Sequence, residues 1–167
     1  MPKPSSSSPF TDFAAAADVG PPMIGALMRL PWEAVSRRML QALRENGFDD
    51  IDAPQLSVLL WPGPDGMRPS DLAARMKVTK QALNYLLGDL ERLGYLERHP
   101  DPEDRRARRI ALTDRGRALV PIIRGAVIQT ERDWAASLGE ARFAQLHELL
   151  IDLNQIASRE SSGDAPG

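Results

Sequence analysis

Between Lys80 and Leu93 the apolar residues Leu83, Leu86, Leu87, Leu90 and Leu93 recur every three or four positions. At about 100° per residue they fall in one arc, which predicts an amphipathic helix with a single core-facing stripe. The opposite arc carries Gln81, Asn84, Tyr85 and Gly88, amide and phenol groups beside a position without side-chain bulk. Thr79 stands where an N-cap oxygen is needed. A shorter helix precedes it, with Pro69 at a position that suits N1, Asp71 in the first turn, and Leu72, Ala73 and Met76 as its buried residues. Lys77-Val78-Thr79 is then the turn between the two. After Gly94, a C′ stop, Tyr95-Leu96-Glu97-Arg98 reads as a strand and Arg109-Ile110-Ala111-Leu112 as its return. The loop His99 to Arg108 between them holds Pro100, Pro102, Asp101 and Asp104, and Arg105, Arg106, Arg108 and Arg109 crowd its exit. Helix, turn, helix, strand, charged loop, strand is the order of a winged helix-turn-helix. The predicted fold is mainly α with a small β-wing.

The flanks carry further helical periodicity. Residues 1–20 are rich in Ser, Pro and Ala and read as a disordered tail. From Pro22 to Asn46 the series Met23, Leu27, Met28, Trp32, Val35, Met39 and Leu43 has helical spacing, interrupted by Pro31, so the segment is either one kinked helix or two. Pro54 to Trp61 predicts another helix, stopped by Pro62-Gly63-Pro64-Asp65-Gly66. Thr113 opens a long helix bearing Leu119, Ile122, Ile123, Ala126, Val127 and Trp134, with Pro121 predicting a bend. Beyond Gly139 a last helix repeats Phe143, Leu146, Leu149, Leu150, Leu153 and Ile156. These terminal stripes exceed what one small winged domain covers, which suggests a subunit interface. The expected organisation is an N-terminal dimerisation region over 21–52, a winged domain over 53–113, C-terminal dimerisation helices over 114–158 and a tail over 159–167.

A net charge of −2 argues against a polyanion partner until it is divided along the chain. Arg75 to Arg109 holds nine basic and six acidic residues, a local surplus of +3, and local charge sets phosphate attraction. Zero cysteines exclude disulfides, thiolate metal sites and a cysteine-oxidation switch. No apolar run approaches the roughly 20 residues that span a bilayer, and Ser5 to Ser8 follow Lys3 where a secretion signal needs an apolar region. A cytoplasmic protein is expected. Catalysis finds no support: His99 and His147 are far apart, His147-Glu148 lacks the second His of a zinc hydrolase, and no nucleophile elbow is present. Gly63 and Gly66 are wrongly spaced for a phosphate loop. No cofactor and no metal are expected.

Leu72-Ala73, Leu90-Glu91-Arg92-Leu93-Gly94-Tyr95, Asp101-Pro102-Glu103-Asp104-Arg105-Arg106 and Leu112-Thr113-Asp114-Arg115-Gly116 resemble the MarR family of bacterial regulators over roughly residues 55 to 120. The resemblance implies a homodimer whose helices from both chain ends intertwine, with two winged domains on a pseudo-palindromic operator in double-stranded DNA. Carried over by position, the major-groove contacts fall on Thr79 to Tyr85 and the wing-tip arginine on Arg106. The family's run of Ser and Thr on the recognition helix is replaced here by Gln81, Ala82, Asn84 and Tyr85, so its operator sequence does not carry over.

The DNA contacts expected are Thr79, Lys80, Gln81, Asn84, Tyr85, Arg105, Arg106 and Arg108, with Asp104 pairing a neighbouring arginine to stiffen the wing. The function expected is dimeric, sequence-specific transcriptional regulation, as a repressor relieved by a small aromatic or phenolic ligand. Trp32, Met39 and Trp61 lie on helices that border the ligand cleft in the family, although aromatic and Met side chains at helical spacing are more often plain core. The competing reading is a winged-helix protein-interaction module without sequence-specific DNA binding. Such a module has less need of an arginine-laden wing or of a polar, glycine-cleared helix face.

Overall fold

The structure, a computed structural model, describes residues 22–63, 66–104 and 106–161. The tail over 1–20 and Arg105 lie outside the described residues. Six helices and a hairpin follow in order: α1 (Ile24–Glu45), α2 (Ala53–Leu59), α3 (Pro69–Met76), α4 (Lys80–Arg92), β1 (Leu96–Pro100), β2 (Arg108–Leu112), α5 (Asp114–Leu138) and α6 (Glu140–Ser161).

The long helices absorb their prolines. α1 runs unbroken through Pro31 and α5 through Pro121. Pro31 withholds the N–H that Leu27 would otherwise receive, but Leu27 is exposed, and a backbone carbonyl open to solvent needs no intrahelical partner. The choice between one helix and two thus resolves as one. α2 begins one residue earlier than expected because Asp52 caps it: the Gln55 N–H donates to Asp52 Oδ1 at 2.9 Å and the Asp52 N–H to Gln55 Oε1 at 3.0 Å, a reciprocal capping box. α3 closes on Lys77 in the left-handed region, φ +53°, and the Val78 N–H returns to the Ala73 carbonyl at 3.2 Å.

The hairpin is longer than its sequence suggested. β1 and β2 pair antiparallel from Leu96 opposite Leu112 to Pro100 opposite Arg108. His99 and Pro100 therefore belong to the strand and not to the loop. Pro100 is tolerated because it stands at the end of a strand on the sheet edge. On the far side of β2, Met67 and Ile110 exchange N–H···O bonds of 2.9 and 2.8 Å, so β2 is held from both flanks. Gly66 beside that bridge has φ +71°, and a Cβ there would stand 2.7 Å from the Ile110 carbonyl oxygen.

One core joins the parts. Met39 and Leu43 of α1 meet Leu56 and Val58 of α2, Leu72 of α3, Leu83, Leu87 and Leu90 of α4, then Tyr95, Ile110 and Leu119. α1 packs along α5, and Arg38 pairs with Asp133 across that contact. The motif Leu112-Thr113-Asp114-Arg115-Gly116 acquires a physical meaning at the entry to α5. Thr113 Oγ1 accepts the Gly116 N–H at 3.1 Å and donates to the Gly94 carbonyl at 2.6 Å, while the Thr113 N–H reaches the Tyr95 carbonyl at 3.1 Å. Elsewhere the long helices leave apolar residues uncovered in the single chain: Ile24, Leu27 and Met28 on α1, Leu146, Leu149 and Ile156 on α6.

Candidate nucleic-acid interface

α4 is built from two faces that the sequence keeps apart. Leu83, Leu87 and Leu90 are buried, whereas Lys80, Gln81, Asn84 and Tyr85 are exposed, Tyr85 to 72%. An exposed tyrosine beside two amides leaves donors and acceptors unspent on the outer face. The N-terminus of α4 is ordered by Thr79, whose side chain accepts the Ala82 N–H at 3.1 Å. The remaining first-turn N–H groups give this end its partial positive charge, which favours a phosphate.

Gly88 shares the exposed face, and a Cβ built on it meets nothing within 4 Å. No contact inside the chain requires glycine here, yet glycine in a helix interior costs about 0.5–1 kcal/mol relative to alanine. Gly88→Ala is expected to stabilise the protein by about that amount while weakening its binding to duplex DNA. Denaturant unfolding and a duplex titration check the two halves, and a variant gaining both stability and affinity would remove the clearance role.

The wing is anchored by a carboxylate other than the one expected. Asp101, its side chain fully buried, accepts from Arg68 Nε at 2.6 Å and Arg109 Nε at 3.1 Å. It also accepts the backbone N–H groups of Glu103 at 2.9 Å and Asp104 at 3.3 Å, an Asx turn that shapes the loop. Asp104 instead receives the Arg106 backbone N–H at 2.9 Å. The Asx turn was within reach of the sequence, since Asp followed by Pro signals one. Arg68, 33 residues back, carried no such signal.

The hydrogen bond from Arg68, then those from the Glu103 backbone and Arg109, hold the Asp101 carboxyl well below its ordinary value of 3.8 against the opposing effect of burial. A depressed folded-state pKa contributes stability that is complete above the unfolded value and lost as pH falls toward the folded one. Stability is therefore expected to decline on acidification below 3.8. Asp101→Asn should flatten that decline in denaturant midpoints taken across the acid range, and an unchanged pH profile would locate the acid sensitivity elsewhere.

This anchoring sorts the basic residues. Arg68 and Arg109 are spent on Asp101, Arg92 on Asp89 and Arg98 on Glu91. Among the described residues Lys80, Arg106 and Arg108 form no ion pair, and all three are exposed. Lys80 stands at the start of α4 and Arg106 and Arg108 along the wing, and Arg75 and Lys77 at the end of α3 are likewise exposed and outside the ion pairs among the described residues. His99 faces Glu97 at 3.1 Å on the exposed side of β1.

Of the three residues considered for a small ligand, the structure brings two together. Trp32 and Trp61 border one open groove of about 500 Å³ with Ser57, Leu60, Arg75 and Met76. Met39, 2% exposed, is in the core and does not line it. Among the described residues no group of three His, Asp or Glu side chains has the arrangement to hold a metal ion, and no helix is long and apolar enough to cross a membrane.

Comparison with known proteins agrees with this geometry. Residues 49–107 match the sequence model of the MarR family. Over 84 residues, 45% of this chain and 48% of the relative, the sequence is 42% identical to the transcriptional activatory protein BadR of Rhodopseudomonas palustris. The chain spans about half the length of the curated relatives it matches. The apo form of wild-type MarR from E. coli matches with a TM-score of 0.65 at 26% identity, over 81% of this chain and 98% of that one. A MepR mutant of S. aureus bound to an oligodeoxyribonucleotide shares the fold with a TM-score of 0.53 at 24% identity, over 82% and 99% of the two chains. These relatives are regulators of transcription and not enzymes. The helical scaffold, the hairpin and the match over residues 49–107 together make the chain similar in fold and in that stretch of sequence to the MarR family of winged helix-turn-helix proteins.

Proposed function

We propose that the protein regulates transcription as a homodimer that binds a pseudo-palindromic operator in double-stranded DNA. The observation that carries the reading is the sorting of charge: Lys80, Arg106 and Arg108 are exposed and without ion pairs among the described residues, while Arg98 and Arg109 are spent on holding the hairpin. A module serving only protein contact has less need of that division. Gln81, Asn84 and Tyr85 of each subunit read base edges in successive major grooves, about 34–36 Å apart. Lys80 and Arg108 meet phosphate, and Arg106 enters the adjoining minor groove, where negative potential is concentrated. The apolar residues left open on α1 and α6 supply the subunit contact, since contiguous apolar surface of this kind marks an interface.

As a repressor, the dimer occludes its operator until a small aromatic or phenolic compound seats between Trp32 and Trp61. A ligand there touches both α1 and the segment following α2, so differential binding to two arrangements of the winged domain would shift the spacing of the recognition helices. The DNA reading is tested by titrating purified protein against random duplex DNA across a salt series, with Arg106→Ala alongside. Binding at low salt that Arg106→Ala weakens supports it. Absence of binding even at low salt would assign the winged domain to a protein partner.

A further inference from the structure

The chain passes between its long helices and its winged unit twice, once through residues 46–52 and once through residues 112–114. Both crossings are fastened to Tyr95. The buried Tyr95 side chain donates its hydroxyl hydrogen to Asp50 Oδ1 in the first crossing, and its ring stands 6.3 Å from that of Phe48 in the same loop. In the second crossing the Thr113 N–H donates to the Tyr95 carbonyl at 3.1 Å. Arg115, one residue into α5 past that crossing, donates to the phenol oxygen at 2.9 Å and to Asp50 Oδ2 at 2.8 Å, with its guanidinium 4.5 Å from the ring centre. Tyr95 is itself tied to the recognition helix, because its N–H donates to the Leu90 carbonyl in the last turn of α4 at 2.9 Å.

Hydrophobic burial explains a large ring at this place. It does not explain a hydroxyl group bonded to an ion pair whose members come from the first crossing and from the helix just past the second. Burial, then the hydrogen bond to Asp50, push the Tyr95 phenol up to about 12, so it remains a donor throughout the neutral range. We propose that Tyr95, braced by Asp50 and Arg115, is a positioning residue that fixes the angle between α4 and the helices α1 and α5, and thereby sets the half-site separation the dimer accepts. The proposal rests on the DNA-binding reading above. Each inserted base pair moves a half-site by about 3.4 Å and turns it by roughly a tenth of a helical turn. Only a winged unit held at one angle penalises such a change strongly.

The experiment uses a duplex selected from a random pool by the wild-type protein, the same duplex with one or two base pairs inserted between its half-sites, and a single half-site duplex. Tyr95→Phe keeps the ring and removes the hydroxyl. It is expected to bind the single half-site as the wild type does and to reduce the affinity penalty of insertion by at least about fivefold. Asp50→Ala should act in the same direction, and the double variant should add little, because both remove one shared contact. A Tyr95→Phe variant with the wild-type insertion penalty overturns the proposal, as does an equal loss on every duplex, which is the mark of a merely structural role. Should circular dichroism show Tyr95→Phe unfolded, Arg115→Gln is read on the same duplexes by the same criteria. Failure of the wild type to select any duplex overturns the DNA-binding reading and the proposal with it.

Discussion

Replacing Gly116 by alanine is expected to cost about 3 kcal/mol or more of stability, in the upper range for forcing an atom into an occupied site. Helix propensity alone argues the other way, because alanine in a helix is favoured over glycine by about 1 kcal/mol. The geometry decides. A Cβ on Gly116 would stand 2.2 Å from the Tyr95 carbonyl oxygen and 3.1–3.2 Å from two carbons of Leu112. The first of these is backbone in a buried turn and has no rotamer through which to yield. Relief requires the start of α5 to shift, which breaks the Thr113 N–H bond to that same carbonyl and endangers the Thr113 cap, itself worth about 1 kcal/mol. Urea unfolding of Gly116→Ala beside Gly88→Ala should move the midpoint in opposite directions. A Gly116→Ala protein as stable as the wild type would contradict the packing described for this junction.

Binding to random duplex DNA is expected to fall by about 10³ between roughly 50 and 200 mM salt, despite a net charge of −2 for the whole chain. A dimer bringing Lys80 and Arg108 from each subunit to phosphate and Arg106 into the minor groove displaces about six counterions, for a slope of log K on log salt near −5. Arg106→Ala leaves about four, and the slope should relax to roughly −3.6. Fluorescence anisotropy on a labelled duplex measures both. A wild-type slope shallower than about −3 would place the wing cations away from the DNA. Gln81→Ala should leave the slope unchanged, because an amide releases no counterion.

The recognition helix was legible because everything that defines it is local: a period of 3.6 in the leucines, a threonine before the first turn and a glycine after the last. The hairpin was legible in kind and less so in length, since the residues that extend it, His99 and Pro100, are poor strand formers recruited by pairing with Arg109 and Arg108. The cap on α2 is a local signal too, Asp52 three residues before Gln55. What the sequence concealed depended on distance along the chain. Arg68 meets Asp101 across 33 positions and Arg115 meets Asp50 across 65, and periodicity says nothing about such pairs. Met39 shows the converse limit, because its helical spacing placed it on α1 without telling core from groove.

The hairpin also meets a hazard common to small sheets. β2 is shielded on one side by β1 and at Ile110 by Met67, whereas among the described residues no strand pairs with the outer edge of β1. Unpaired edges are templates on which another chain can add a strand. The residues after the buried Leu96 are Glu97, Arg98, His99 and Pro100, all exposed, and charge with proline is a composition that discourages strand addition. The wing can therefore project far enough to lie along a polyanion without becoming a nucleus for aggregation, because the polarity that suits it to the one surface makes it a poor partner for its own kind.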